Sequence, residues 1–329
     1  MESELLCFPQ LLNASCRRPP PPRSESRLRL LLVLLLQASL YFICGLTVAL
    51  NLLVVVCISY FRRLHSPTNT LLLSLAVADL LVGLLSMPGE VVRRWSCWPL
   101  GDAACCLYNF LSYVVTSASV GNMVLISADR HAAVCDPLRY PGRVTPRRAR
   151  LAVLLCWLCS LLYGAVFVRE EFVDPGRHHS CQGECVVVLD FLSGVLDLVL
   201  TFVLPVAVIV LLYLRVFAVA ASQARALRSR VAARRPQAHA KRSELKAART
   251  LGVLVLVFLL CFCPFYCVSL ALGESLSSDA QFFVFFLFYF NSSVNPLIYA
   301  LFYPWFRKAV RHTLTLRILQ PGSSQTNFL

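Results

Sequence analysis

The sequence predicts an all-α membrane protein: a seven-transmembrane helix bundle with a short amphipathic cytoplasmic helix after the seventh span. Three observations carry that reading. Of 329 residues, 58% are hydrophobic and only 15% charged, too apolar for a water-exposed globular surface. Seven apolar runs reach the ~20 residues a helix needs to cross hydrocarbon, near 33–60, 68–92, 103–135, 149–168, 190–216, 248–272 and 280–303. With the N-terminus outside, 22 of the 31 Lys and Arg fall in cytoplasmic segments and 9 outside, the bias that sets topology.

Taken in order, residues 1–32 read as an extracellular tail. Arg17 to Arg27 is a Pro-rich extended linker, and Asn13-Ala-Ser15 is a glycosylation acceptor, usable only outside. Arg17, Arg18, Arg23, Arg27 and Arg29 pull against this orientation, but the whole-chain count outweighs them. Leu30–Leu36 has the size of a signal-peptide core, yet runs on without interruption to Tyr60 and reads as a signal anchor. The bundle occupies 33–303. Its third span is the least apolar, carrying Ser112, Ser117, Ser119 and Asn122, so it is expected to be the most enclosed. Turn clusters separate the spans: His65-Ser-Pro-Thr-Asn69, Asp136 to Gly142, Asp174 to His179 and Gly273 to Asp279. Residues 217–247 read as helical extensions of the fifth and sixth spans. Residues 304–329 form the amphipathic helix and cytoplasmic tail, with Trp305, Phe306, Val310 and Leu314 set apart from Arg307, Lys308 and Arg311.

The same features exclude other classes. The formal charge of +14 is dispersed through short loops, so it reads as a topology signal and a collar facing anionic lipid, with no nucleic-acid partner. No internal repeat suggests a transporter, 280–303 holds no Lys for a retinal Schiff base, and the six His lack metal-ligand spacing, so no enzyme or cofactor is expected. Seven of the 15 Cys fall in outer segments, where disulfides form, at 7, 16, 97, 105, 106, 181 and 185; spacing alone leaves their pairing open.

Ionisable groups inside spans are costly and therefore functional candidates. Asp79 reads either as a neutral carboxyl bonded to Ser119, Asn291 or Asn295, or as a sodium site. Asp129 and Arg130 either pair locally or form a polar latch to Glu244 that opens as a switch. Asp197, in Gly194-Val-Leu-Asp-Leu-Val-Leu-Thr-Phe-Val-Leu-Pro205, has aliphatic neighbours and no basic residue within its span. It lies about 12 Å of helix rise before Pro205, with Ser193 one turn before and Thr201 one turn after on the same face.

Several motifs in series resemble the rhodopsin-like G-protein-coupled receptors: Asn51, Leu75-Ala-Val-Ala-Asp79, Trp98-Pro-Leu-Gly-Asp-Ala-Ala-Cys105, Asp129-Arg130-His131, Trp157, Pro205 with Tyr213, Cys263-Pro264-Phe265-Tyr266 and Asn295-Pro-Leu-Ile-Tyr299. Ser127 to Tyr140, Asn291 to Ala309 and Cys181-Gln-Gly-Glu-Cys185 are similar to the trace amine-associated receptors, fish-type members included. The resemblance implies a plasma-membrane receptor for a small amine that activates a heterotrimeric G protein, of the stimulatory, cyclic-AMP-raising type, in olfactory neurons. It implies disulfides Cys105–Cys185 and Cys16–Cys181, with Cys7 the alternative tail partner, and a switch involving Arg130, Tyr213 and Tyr299. The chain departs from the pattern at Leu50, at Phe262, and at Ser112, where amine receptors usually carry the acidic counter-ion.

That departure moves the expected counter-ion to Asp197, with Ser112 its neutral partner and Thr201, Phe265, Tyr266 and Tyr289 around the ligand. A nearby receptor for a peptide or lipid keeps the same fold and is the alternative. With one deep acid, monoamines are expected to be favoured over diamines unless Glu184 or Asp190 bends inward.

Overall fold

A computed structural model describes residues 27–95, 98–177, 183–230, 252–253, 256–268, 278–302, 304–320 and 322–326. Asn13, Cys7, Cys16, Cys181 and Glu244 lie outside the described residues. Five helices are long and apolar enough to cross a membrane: Leu34–Tyr60, Pro67–Arg93, Gly101–Cys135, Pro146–Phe167 and Phe191–Val219. Leu256–Val268 is the described part of the sixth span. The seventh is Ser278–Phe302, and Pro304–Leu314 follows it at 93°. The described residues thus assemble into a seven-helix membrane bundle.

Helix starts follow capping chemistry. Ser66 and Thr145 accept from the backbone N–H three residues on, each followed by a Pro whose missing N–H costs nothing in a first turn. Asp190 caps the fifth span in the same way through Ser193, at 3.3 Å. Those bonds from Ser193 hold its exposed carboxyl below the usual carboxylate range.

Two spans contain one widened turn each, Val82–Ser86 and Val199–Val203. Each ends two residues before a proline, Pro88 and Pro205. Without an amide proton, neither Pro can bond the carbonyl four residues back, and a wider turn redistributes the remaining bonds. These turns also change the angular phase of the side chains on either side of them.

The third span is the least apolar of the five, as its hydroxyls and amides require, and it is enclosed to much the same degree as the second, which packs on the first, third, fourth and seventh. Polar side chains tie these helices together. Asn51 donates to the Ser292 carbonyl at 3.0 Å, and Trp157 donates to Ser74 at 3.0 Å. Asp79, fully buried, accepts from Ser119 and Ser292 at 2.8 Å and from Asn295 at 2.7 Å. Asn291 does not join it, because its amide is turned to the Met123 sulfur at 3.7 Å; Ser292, one residue on, takes the place.

At the end of the bundle holding Arg130, the amphipathic helix buries Phe306 and Ala309, the latter against Cys57, Phe61 and Leu64. Arg307, Lys308 and Arg311 are exposed. The chain beyond turns back so that Tyr60 donates to the Ile318 carbonyl at 2.8 Å and meets the Ser323 hydroxyl at 2.7 Å.

Replacing Asp79 by Ala leaves three buried donors without an acceptor. The purified protein is expected to lose about 2–3 kcal/mol of stability, read as a lowered thermal midpoint in detergent.

Candidate ligand-binding site

A cavity of ≈ 150 Å³ is lined by residues of the second to seventh spans. That is the size of an apolar cavity that holds a benzene ring. One wall is aromatic: Phe265 packs against Tyr266, Phe285 and Phe288 with ring centroids 4.7–5.1 Å apart, and Tyr289 joins Phe288 at 5.3 Å. Below it Phe262 stacks between Phe258 and Phe288, each at 4.3 Å.

Asp197 lines the cavity half-buried. Its carboxylate accepts a hydrogen bond from Tyr163 of the fourth span, and among the described residues no basic side chain pairs with it. Thr201 lines the same cavity. Its hydroxyl donates to the Asp197 backbone carbonyl and meets the Tyr266 hydroxyl at 2.6 Å, tying the fifth span to the sixth. Ser193 does not complete a polar stripe: it sits in the Asp190 cap turn and lines a separate recess with Asp190 and Glu170. The helix begins at Phe191, so Ser193 belongs to a first turn engaged in capping.

The opposite side of the cavity contains a group that the chain reading did not anticipate. Glu90 and Arg93, one turn apart on the second span, form an ion pair at 3.1 Å. Tyr108 donates to the same Glu90 oxygen at 2.9 Å, and Arg93 also reaches Asn109 at 3.3 Å. Ser112, 8% exposed, lies on this side next to Tyr108. Tyr113 of the third span also lines the cavity, its ring centroid 6.1 Å from that of Tyr163. Asp197 is therefore not the only acid in the cavity. Glu184 and Asp190 are not among its lining residues.

Tyr108 reaches Glu90 because residue 89 is Gly. A Cβ there would stand 2.1 Å from the Tyr108 ring, closer than any real contact. The cavity mouth is fixed by the Cys105–Cys185 disulfide and by Trp98, which donates its indole N–H to the Gly101 carbonyl at 3.1 Å and its backbone N–H to the Gly183 carbonyl at 2.7 Å.

At the other end, Arg130 pairs with Asp129, which also accepts from Thr68 at 2.9 Å and Tyr140 at 2.8 Å. Burial first, then Asp129, keeps the Tyr140 hydroxyl protonated above the usual phenol range. Tyr213 and Tyr299 are buried around a void of ≈ 20 Å³ lined by Leu75, Met123 and Ile126. Beside Asp79, the amide oxygen of Asn295 is buried and accepts no hydrogen bond among the described residues. A carboxylate, two hydroxyls and that amide oxygen suit a small, hard cation.

The sequence held a signal for Glu90, an acid inside the second apolar run and so expensive by the rule that singled out Asp79. Tyr163, Tyr113, Thr68 and Tyr140 gave none, since aromatic and hydroxyl residues are ordinary in spans and loops.

Gly89→Ala is expected to cost about 1–3 kcal/mol through overpacking. Most of that loss returns in Gly89→Ala combined with Tyr108→Leu, the pair being compared by thermal unfolding.

The description 7 transmembrane receptor (rhodopsin family) matches residues 50–299. Trace amine-associated receptor 13c of Danio rerio is 37% identical over 336 residues, covering 98% of this chain and 95% of that one. Trace amine-associated receptor 1 of Mus musculus is 35% identical over 307 residues, covering 88% and 92%. Trace amine-associated receptor 5 of Mus musculus is 37% identical over 323 residues, covering 94% and 91%. With its helix order, Cys105–Cys185 disulfide and Asp129-Arg130 pair, the chain belongs to the rhodopsin family of seven-transmembrane G-protein-coupled receptors, in the trace amine-associated group, and is a receptor rather than an enzyme.

Proposed function

We propose that this receptor is activated by a small monoamine whose ammonium group binds Asp197. The observation that carries this reading is a carboxylate with a single hydrogen-bond donor and no basic partner among the described residues, lining a benzene-sized cavity walled by Phe265, Tyr266 and Tyr289. A charge pair at about 4 Å gains on the order of 4 kcal/mol at an effective dielectric near 20, against about 1 in water, so the enclosed carboxylate selects cations. The aromatic faces add cation and apolar contacts to the ligand's carbon skeleton. The small volume disfavours a peptide.

In this reading the receptor is an inhabitant of the plasma membrane with its N-terminus outside, glycosylated at Asn13 and with the tail held by Cys16–Cys181. The amine shifts a pre-existing equilibrium towards a state in which Arg130 leaves Asp129, Tyr213 and Tyr299 rearrange, and Glu244 no longer restrains the sixth span. The G protein admitted is the stimulatory type, which raises cyclic AMP, and olfactory neurons are the expected site. A sodium ion held by Asp79, Ser119, Ser292 and Asn295 stabilises the resting arrangement.

A panel of amines on transfected cells with a cyclic-AMP readout tests the reading. Asp197→Ala is expected to lower potency at least about thirtyfold at unchanged surface expression, the cost of removing one partner of an enclosed charge pair. Full potency in that variant refutes the assignment. Raising sodium is expected to weaken agonist binding in membranes from wild type and to leave Asp79→Asn unaffected.

A further inference from the structure

Among the described residues, three charged side chains line the cavity: Asp197, Glu90 and Arg93. We infer that Arg93 is a specificity determinant, an internal counter-ion that occupies Glu90 and restricts the receptor to ligands bearing one positive charge. The inference rests on Asp197 as the ammonium acceptor and extends that reading to the class of amine accepted.

The argument is one of charge balance in an enclosed space. Two carboxylates and one guanidinium leave the cavity with one net negative charge, which a monoammonium ligand neutralises. A diammonium ligand overshoots by one, and its second ammonium meets a carboxylate already taken. Glu90 Oε1 accepts from Arg93 at 3.1 Å and from Tyr108 at 2.9 Å, so both a cation and a hydroxyl stand where the second ammonium would bind. The pair is well enclosed, with Glu90 13% and Arg93 24% exposed, so solvent screens it little.

Arg93 is also held independently of Glu90. Asn109 accepts from the same guanidinium nitrogen at 3.3 Å, and the Tyr108 ring lies 5.8 Å from the guanidinium carbon. Tyr108 in turn rests on the space left by Gly89. The cation is therefore fixed beside Glu90 by neighbours from the third span, and a ligand cannot displace it without breaking those contacts as well. Without Arg93, the same cavity presents two acids, Glu90 from the second span and Asp197 from the fifth, the arrangement that suits a molecule with an ammonium at each end.

The test compares α,ω-diamines of graded chain length with the n-alkylamines of matching length, with surface expression measured throughout. Arg93→Gln is expected to raise the potency ratio of diamine to monoamine about tenfold. Arg93→Lys keeps the ratio at the wild-type value, and Arg93→Gln with Glu90→Gln abolishes the gain. An unchanged or lower ratio in Arg93→Gln overturns the inference. If that variant does not reach the surface, Glu90→Gln decides: it removes the cavity's net negative charge and is expected to weaken the monoamine about tenfold, whereas undiminished potency overturns the inference. Asp197→Asn with a monoamine separates the two levels. A retained response there defeats the counter-ion reading itself; a lost response with an unchanged ratio in Arg93→Gln defeats this inference alone.

Discussion

A charge enclosed in hydrocarbon must be compensated from within the protein, and the architecture of this bundle follows from how each acid meets that demand. Asp79 takes three donors from the third and seventh helices. Asp129 takes its neighbour Arg130 together with Thr68 and Tyr140. Glu90 takes Arg93 and Tyr108. Asp197 takes one phenol, from Tyr163. Among these four it is the least compensated, and it lines the cavity between the helices.

The Asp79 and Asp129 clusters also join segments that are far apart in sequence. The Asp79 contacts span sequence separations of 40 to 216 residues, and the Thr68 contact to Asp129 spans 61. Hydrophobic burial distinguishes poorly between helix arrangements in lipid, because lipid tails satisfy leucines as well as a neighbouring helix does. Directional bonds to enclosed carboxylates supply the discrimination. Trp157 to Ser74 and Asn51 to the Ser292 backbone serve the same purpose at lower cost.

The cavity depends on irregularities in otherwise regular helices. The wide turns before Pro88 and Pro205 lie at the depth of Glu90 and Asp197, so the two acids are presented by the two helices whose phase is altered. A Pro has no amide proton to bond the carbonyl four residues back, and the wider turn before it rotates the residues on either side relative to one another. Gly89 then admits Tyr108, which fixes the position of the Glu90 and Arg93 pair.

The sequence by itself determined the number of spans, the amphipathic helix at 304–314 and the identity of Asp79, Asp129 and Asp197 as enclosed acids. Those features are local: length, apolar periodicity and the cost of a charge in lipid are all written within one stretch of chain. Ser119 and Asn295 for Asp79, and Arg130 for Asp129, were among the partners the sequence offered; the other side chains that meet each acid were decided only by the tertiary structure. Tyr163, Ser292, Thr68 and Tyr140 are ordinary residues until helix packing brings them within hydrogen-bond distance. The same holds for the pairing that neutralises Glu90 and for the removal of Ser193 from the cavity, since one shift in helix phase or start changes which face a residue occupies. Directional contacts between distant segments depend on rotation and depth, and neither can be read from composition or spacing along a single helix.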